Sequence, residues 1–474
     1  MYGGMQTTLA KLARHQEFAY DATEPKGRRK PPTVRYGSED DLLDSARRSK
    51  LTANSRDIHR NFAIAAWMVR KHLDYVASFS FHCRSGNVDF DAKVEQFVSE
   101  WSRPYNCDAS GRHRLLRMIR LAEARRTLDG DVGLLKLTNG SMQAIEEDRI
   151  RQPSGEPADQ GQTRWVHGVR INQAGRALAY AIHRRRPRGG GFELERVVSA
   201  RNLVMLGYYD RFDQVRGISP IASALNPLRD VYENFDYALI KAKVTQLFAL
   251  AIFSDGMRDG GVVTDNEDSE DSGASRYSVD FGRGPVKLEL DPGDKAEFLE
   301  SRHPATEFQS FTKLVIAVAM KALDLPYSFY DESHTNFFGS RAAWLHYDRS
   351  CMSKRDDLLE LLNRITIWRL GLALLDGELV LPRGWSLGNV PFEWVPTGMP
   401  WWDPSKEING DLQAIGAGLD NPQRITKERG RGDWYDNIDR IAEAMKYAEG
   451  KGVPVSFAPT VQPIEVVEAN GDAN

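Results

Sequence analysis

The stretch that decides the fold is GISPIASALNPLRDVYENFDYALIKAKVTQLFAL, residues 217–250. Ser219 followed by Pro220 is a helix start signal, because serine caps the first free amides and proline suits the first helical position. Asn226-Pro227 repeats this signal, so the helix either kinks or restarts there. The apolar residues that follow recur on one helical face: Leu228, Val231, Phe235, Ala238 and Ala242. From 227 to about 250 this helix would be ~35 Å long.

Two further long helices are predicted downstream. The first of them spans 304–324 and ends at Leu325-Pro326, because a residue before proline disfavours helical geometry. Its apolar face consists of Phe308, Phe311, Val315, Val318 and Ala322. A loop over 327–339 leads to the last of the three long helices, at 340–374. Residues 255–300 lie between the helix that starts near 227 and the helix at 304–324. They contain 13 Asp and Glu against 5 Lys and Arg. Two long amphipathic helices therefore flank an acidic insertion, which also contains strand-like runs.

The first half of the chain is predicted to combine helices with a β-rich layer. The expected helices lie at about 55–76, 92–102 and 112–128. Asn139-Gly140 after an apolar run indicates a hairpin, and 165–209 continues in short strand-like runs. Residues 1–50 mix prolines with charges of both signs, so a solvated leader is favoured over a nucleic-acid contact. These patterns together predict a helix-rich α+β fold.

The C-terminal part begins with an aromatic, proline-rich stretch at 385–404. Its tryptophans include Trp394, Trp401 and Trp402, which could stack on bases. Packing into a core or a subunit interface is the favoured interpretation. Two shorter helices follow at 405–418 and 434–449, and the last twenty or so residues are expected to form a flexible tail.

The composition limits the classes of protein that the chain can be. Lys and Arg number 63 and Asp and Glu 66, so tight binding of phosphates over the whole surface is not expected and any DNA contact is local or weak. The longest apolar run, 247–253, is too short to span a bilayer, and no membrane partner is expected. Cys83, Cys107 and Cys351 lie far apart, which indicates reduced thiols.

Signals for catalysis, cofactors and metals are weak. The sequence contains no phosphate-binding loop of the Walker type and no nucleophile elbow. Asp265–Asp271 could suggest a two-metal nuclease or calcium site, but such a run lacks the rigid placement that two ions need, so a solvated loop is favoured. His82-Cys83, Cys107 and His113 match no common zinc spacing. We therefore expect no enzymatic activity, no cofactor and no metal.

Several motifs in order resemble the lambda-type phage portal family over about 50–450. The matching blocks are Ser55–Asn61, Gly217–Pro220, Leu325–Tyr327 with Asn336–Ala343, and Asp403–Glu407 with Gly418-Leu419 and Gly432-x-Trp434. Each block is weak by itself, and their order and spacing make the signal specific. The chain departs from the family at Phe338-Gly339, where a tyrosine-serine pair is usual, and 267–277 has no counterpart.

The resemblance implies a ring of about twelve subunits at one capsid vertex, each with a wing, a two-helix stem, a clip and a helical crown. Carried onto this chain, the parts are a flexible leader at 1–50, the wing at 51–217, the first stem helix at 218–252, the clip at 253–303, the second stem helix at 304–325, the tunnel loop with the long wing helix and its return at 326–404, the crown at 405–450 and a flexible tail at 451–474.

The resemblance also implies partners and contact residues. The expected partners are other copies of the chain, double-stranded DNA in transit, the terminase large subunit, a head–tail adaptor, and the major capsid and scaffold proteins. The expected location is the portal vertex of the virion, after assembly in the host cytoplasm. The tunnel loop that narrows the channel is predicted to consist of Asp331, Glu332, Ser333, His334, Thr335, Asn336, Phe337, Phe338 and Gly339.

Lys241 and Lys243 on the first stem helix are predicted either to contact phosphates or to pair with carboxylates of a neighbouring subunit, and the second role is slightly preferred. Two other functions are alternatives to the portal hypothesis. A smaller head–tail connector component is disfavoured by the length of the chain, and a packaging nuclease-ATPase is disfavoured by the missing phosphate-binding loop.

Overall fold

A computed structural model describes residues 37–155, 161–187, 191–247, 250–254, 294–298, 306–333, 336–398 and 403–455. The helices are α1 Glu39–Leu42, α2 Ser45–Asn61, α3 Ala63–Val76, α4 Val88–Trp101, α5 Pro104–Cys107, α6 Leu115–Asp129, α7 Leu225–Leu247, α8 Thr306–Met320, α9 Phe337–Leu375, α10 Pro404–Gly416, α11 Pro422–Glu428 and α12 Trp434–Gly450. The strands are β1 Phe79–Cys83, β2 Asp131–Lys136, β3 Met142–Glu146, β4 Thr163–Val166, β5 Val169–Asn172, β6 Ala177–Arg185, β7 Phe192–Ser199, β8 Leu203–Gly207, β9 Leu250–Ser254, β10 Asp294–Phe298 and β11 Phe392–Pro396. The described part is thus helix-rich α+β, as expected.

The larger apolar core lies between the helices of the N-terminal half and the long helix α9. Helix α9 has 39 residues and contacts α3, β8 and β11 along its length. The buried side chains come from α3, α6, the start of α7, the end of α8 and α9, and they include Met68, Ile119, Leu228, Met320 and Leu362. Helix α7 enters this core only at its first turns, since the described side chains from Tyr232 to Ile240 are half-buried or exposed.

Two antiparallel sheets enclose a second, smaller core. Their strand orders are β3-β2-β8 and β4-β5-β6-β7. The predicted hairpin at Asn139-Gly140 is confirmed, because Val132 pairs with Glu146 and Lys136 with Met142 across the turn. Gly140 has a φ of 80°, a conformation that glycine adopts without a steric cost. The second core contains Leu135, Ile145, Ile171, Ile182 and Leu203.

Most predicted helices are confirmed within a few residues. They are the helices expected at 92–102, 112–128, 304–324, 340–374, 405–418 and 434–449. The helix expected over 55–76 is instead two helices, α2 and α3, because Phe62 between them has extended backbone angles. Helix α11 was not expected, since its seven residues lack a clear apolar period.

Part of the segment that was predicted as a leader is helical. Helix α1 begins at Glu39, and both Asp40 and Arg48 are buried. Asp40 Oδ2 accepts a hydrogen bond of 2.8 Å from the Val215 amide, and Arg48 Nη1 donates one of 2.8 Å to the Gly217 carbonyl. The prediction of a flexible leader through residue 50 is therefore wrong for 39–50, because these charged residues have distant buried partners.

The acidic insertion between α7 and α8 is described only where two strands pair. Strands β9 and β10 are antiparallel, with Ser254 opposite Asp294 and Leu250 opposite Phe298. The predicted acidic cluster Asp265–Asp271 lies outside the described residues. So do 1–36 and 456–474, the larger parts of the predicted leader and tail.

A buried arginine lies just before α7 and connects its own segment with three others: the start of β2, residues 147–150 and His167. Arg216 is 0% exposed and forms a bidentate ion pair with Asp131, with Nε–Oδ2 and Nη2–Oδ1 distances of 2.7 Å. It also donates to the carbonyl oxygens of Ile150 at 2.9 Å, His167 at 2.8 Å and Glu147 at 3.1 Å. Burial opposes the charge of Arg216, but Asp131 holds its pKa above the ordinary value. All five guanidinium N–H groups therefore have an acceptor.

Arg216→Gln should destabilise the fold strongly, because it leaves the Asp131 carboxylate buried without its counter-ion. Loss of one partner of a buried pair typically costs about 3–5 kcal/mol. The measurement is the urea-unfolding midpoint followed by tryptophan fluorescence. Arg229→Gln is the control, since its ion pair with Asp57 is about half exposed on both sides and should contribute less than about 1 kcal/mol. Equal midpoints for the two variants would contradict this assignment.

Candidate functional site: the paired helices and the loop before α9

A short 3-10 turn at Pro220–Ala224 leads directly into helix α7, which runs without interruption from Leu225 to Leu247. The predicted restart at Asn226-Pro227 therefore lies in the first turn of the α-helix, where proline is tolerated. Ser219 occupies the cap position of the 3-10 turn without capping it. Its hydroxyl instead donates a 2.7 Å hydrogen bond to the Thr127 carbonyl, which fastens the start of the stretch to α6.

Helices α7 and α8 run antiparallel and pack against each other. The rings of Phe235 and Phe308 meet edge to face with centroids 6.5 Å apart. The end of α8 contacts the 3-10 turn before α7. The two helices that the sequence predicted on either side of the acidic insertion therefore form a hairpin-like pair that extends from the larger core.

The described faces of this pair leave many large apolar side chains exposed. They are Tyr232, Phe235, Tyr237, Leu239 and Ile240 on α7 and Phe311, Leu314 and Val318 on α8. Isolated exposed hydrophobic residues are ordinary, but a concentration of them on one pair of helices marks an interaction surface. These eight residues lie along one side of α8 and in several directions around α7, and together we call them the apolar face of the helix pair.

The segment that precedes the predicted tunnel loop is anchored by aromatic rings. Phe329 stacks on Tyr75 of α3 with centroids 5.6 Å apart and meets Tyr347 of α9 edge to face at 5.4 Å. Tyr75 and Tyr347 also contact each other at 5.2 Å. Tyr330 adds an edge contact with Trp67 at 6.2 Å. The chain therefore enters the loop from a fixed position on the core.

Ion pairing and capping hold the two ends of the loop. Lys313 Nζ of α8 lies 2.8 Å from Asp331 Oδ2, and Ser333 donates both its amide and its hydroxyl to the same carboxylate. The hydrogen bond from Lys313, followed by those from Ser333, lowers the pKa of Asp331. At the other end, Asn336 Oδ1 accepts a 2.7 Å hydrogen bond from the Gly339 amide and caps α9.

Because this cap starts α9 at Phe337, the predicted loop is three residues too long. Helix α9 begins at Phe337, so Phe337, Phe338 and Gly339 belong to its first turn and not to the loop. His334 and Thr335 lie outside the described residues. Asp331, Glu332 and Ser333 lie together at the start of the loop. The backbone at Lys241 and Lys243 belongs to α7, whereas their side chains lie outside the described part.

Charged side chains join α10 and the end of α11 to the start of α9. Glu407 of α10 lies 3.3 Å from Arg341 Nη2, four residues after the start of α9, and accepts a 3.1 Å hydrogen bond from Arg429. Arg429 also forms a bidentate pair with Asp411. Sequence reasoning missed Lys313, because its partner lies in a distant segment. Arg341 and Glu407 belong to two of the motif blocks, but the sequence did not show that they pair with each other.

The described residues contain no group of three or more His, Cys, Asp or Glu side chains placed to hold a metal ion. Cys83, Cys107 and Cys351 are unpaired and buried, and burial raises the pKa of Cys83 to about 12 and that of Cys107 to about 11. Trp394 packs in the larger core, whereas Trp401 and Trp402 lie outside the described residues. Among the helices described, none has the length and apolarity that crossing a membrane requires.

Comparison with known proteins places the chain in a family. Two solved chains, from the virion of a native gene transfer agent (GTA) particle and from the neck of an empty GTA particle computed with C6 symmetry, match with TM-scores of 0.44 and 0.45. Each is 14% identical, over 79% of this chain and 92% of its own length. The "Probable portal protein" of Halomonas phage phiHAP-1 is 25% identical over 405 residues, which are 82% of this chain and 77% of that protein.

The family model described as "Phage portal protein, lambda family" matches residues 29–355, well over half of the chain. The family that the motifs in the sequence suggested is thereby confirmed. The chain belongs to the lambda family of phage portal proteins.

Proposed function

We propose that the chain is the subunit of a closed ring, of about twelve copies, at one vertex of the phage capsid. The ring provides the channel for double-stranded DNA during packaging and ejection. It is also the docking site for the terminase large subunit and later for the head–tail adaptor, and it contacts the capsid and scaffold proteins during assembly in the host cytoplasm. Its role is structural, without a catalytic centre. Family membership supports the portal role. The exposed apolar residues of α7 and α8 support the ring.

The observation that carries the proposal is the apolar face of the helix pair. Eight large apolar residues on α7 and α8 are exposed in the single chain, while the adjoining turns of the same helices are buried in the core. Leaving such a surface in water is unfavourable by about 25 cal/mol per Å². Copies of the chain arranged around an axis would cover it, since a ring closes when one side of each subunit contacts a different side of the next.

The portal hypothesis also assigns parts of the chain to the wing, stem, clip and crown of a portal subunit. The wing corresponds to 51–217 and to the return through α9 and β11, with the ordered segment 39–50 now added to it. The stem corresponds to α7 and α8, the clip to the insertion that contains β9 and β10, and the crown to α10, α11 and α12. The loop around 331–336 and the lysines of α7 are the parts that we propose face the DNA.

The charge of the chain suits a conduit through which DNA slides. Duplex DNA carries about one negative charge per 1.7 Å of its axis, and a strongly basic channel would hold it. The net charge of each subunit is only −3. The contact between ring and DNA is therefore expected to be weak, independent of sequence and confined to a few positions such as the loop.

Phe311→Ser combined with Leu314→Ser should prevent ring formation. These side chains are 58% and 62% exposed in the single chain, and burial of each one at every subunit junction stabilises a ring by about 1.5–3 kcal/mol per residue. The measurement is the mass distribution of purified protein under native conditions. Tyr105→Ser is the control, because Tyr105 is 87% exposed but lies on α5, away from the helix pair. Rings of unchanged abundance in the double variant would contradict the role assigned to this face.

His334→Glu should impair DNA packaging or retention without affecting ring formation. One added carboxylate per subunit places a circle of negative charge at the proposed constriction, where it repels phosphates. Packaged DNA is measured by nuclease protection in a packaging assay, with ring formation checked on the same protein. His346→Glu on the exposed surface of α9 makes the same change elsewhere and should package normally. Unchanged packaging by His334→Glu would show that this loop does not face the DNA.

A further inference from the structure

The three C-terminal helices contribute no buried apolar side chain to the described protein. We call residues 403–455, which contain α10, α11 and α12, the C-terminal unit. Within this range, all of which is described, the only buried side chains are those of Glu407 and Asp433, and both are carboxylates. Both apolar cores consist of residues that precede the unit. Its attachment to the rest of the described chain therefore does not depend on a buried apolar side chain of its own.

Each buried carboxylate of the unit pairs with an arginine outside it. Glu407 of α10 lies 3.3 Å from Arg341 Nη2 of α9. Asp433, which caps α12, accepts a 3.1 Å hydrogen bond from Arg84 Nη2, directly after β1. The same guanidinium also pairs with Asp436. The side chains of Arg341 and Arg84 are 40% and 37% exposed, so water and salt ions reach one side of both pairs.

Two further polar contacts join the unit to strands β1 and β11. His82 Nδ1 of β1 lies 3.3 Å from Asp436 Oδ2, and Lys427 Nζ of α11 pairs with Glu393 of β11. His82 and Glu393 are opposite each other in the β1–β11 pair, so both contacts meet the unit at the same level of the two strands. We call these contacts, together with the two arginine pairs, the ionic seam.

One main-chain contact accompanies the ionic seam. The backbones of Gly398 and Gly430 lie so close that a Cβ atom at Gly398 would be 2.3 Å from the Gly430 nitrogen. Gly398 lies on the connection between β11 and α10, so this contact is next to the covalent link between the unit and the strands. Because glycine has no side chain, the contact adds no side-chain burial to the docking.

We propose that the C-terminal unit docks reversibly through the ionic seam and is released when salt screens the seam, while both apolar cores stay folded. The attraction between partly exposed charges falls as salt shortens the Debye length, from about 10 Å at 0.1 M to about 3 Å at 1 M. Apolar burial, which holds the cores, is not screened by salt. Parts with few buried apolar contacts open before the whole protein unfolds. The inference goes beyond the proposed function and does not presume a ring, because the seam lies within one chain.

Release of the unit would also remove a restraint near the predicted tunnel loop. Arg341 lies in the second turn of α9, five residues after Asn336, which caps this helix. In the docked state, Glu407 holds the guanidinium of Arg341. One ion pair therefore links the position of the C-terminal unit to the start of α9.

Hydrogen–deuterium exchange of the full chain, resolved by peptide mass spectrometry, tests the docking. Raising the salt concentration from about 0.05 M to about 1 M NaCl should speed amide exchange in 404–450 at least tenfold, because helices of this length open readily in water without tertiary contacts. Exchange in α3 and α6 should stay the same. Arg84→Gln combined with Arg341→Gln should cause the same increase at low salt and should abolish most of the salt response, since the seam is already broken.

The matched control combines Arg229→Gln with Arg424→Gln. These two arginine side chains are also partly exposed, at 42% and 62%, but they pair with Asp57 of α2 and with Glu428 inside the unit. Exchange and its salt response in this variant should match wild type. Unchanged exchange of the unit in the seam variant, or no salt response in wild type, overturns the proposal. An equal increase in α3 and α6 also overturns it, because the seam would then belong to the global fold. Ring formation is measured separately and decides only the proposed function.

Discussion

The guanidinium of Arg216 brings together segments that are far apart in the chain. It pairs with Asp131 at the start of β2 and donates to carbonyl oxygens of Glu147, Ile150 and His167. The adjacent Gly217 amide donates to the same Asp131 carboxylate at 2.9 Å. Because α7 starts a few residues later, this interaction determines where the helix pair leaves the folded body. A lysine could supply the charge but not five donors in a fixed plane.

A second buried network positions α9 and, through it, the loop and the C-terminal helices. Glu123 of α6 accepts hydrogen bonds from Arg126 at 2.7 Å and from Tyr208 at 3.1 Å, and lies 2.7 Å from His72 Nε2. Arg126 continues to Asp357 of α9 at 2.6 Å. Buried polar groups of this kind favour one arrangement over others, because any alternative leaves charges without partners. The core thus fixes the start of α7 and the middle of α9, while the apolar face of the helix pair stays exposed, and we propose that neighbouring copies cover it.

The sequence predicted the long helices, the hairpin at Asn139-Gly140 and the α+β class, because each follows from local periodicity and turn chemistry. It did not predict that Asp40 and Arg48 are buried, since their partners lie about 170 residues away. The loop was predicted three residues too long, because the capping role of Asn336 was overlooked even though asparagine is a common cap. The pairing of Asp331 with Lys313 and of Glu407 with Arg341 depends on tertiary contacts that no local pattern reveals.

Electron microscopy of the purified full-length chain tests the central claim most directly. A portal subunit that associates head to tail should give closed rings with an axial channel, and class averages along the axis should show a single cyclic symmetry of about twelve. Isolated monomers, two-fold dimers or open filaments at all protein concentrations would contradict the account, because none of them encloses a channel for DNA.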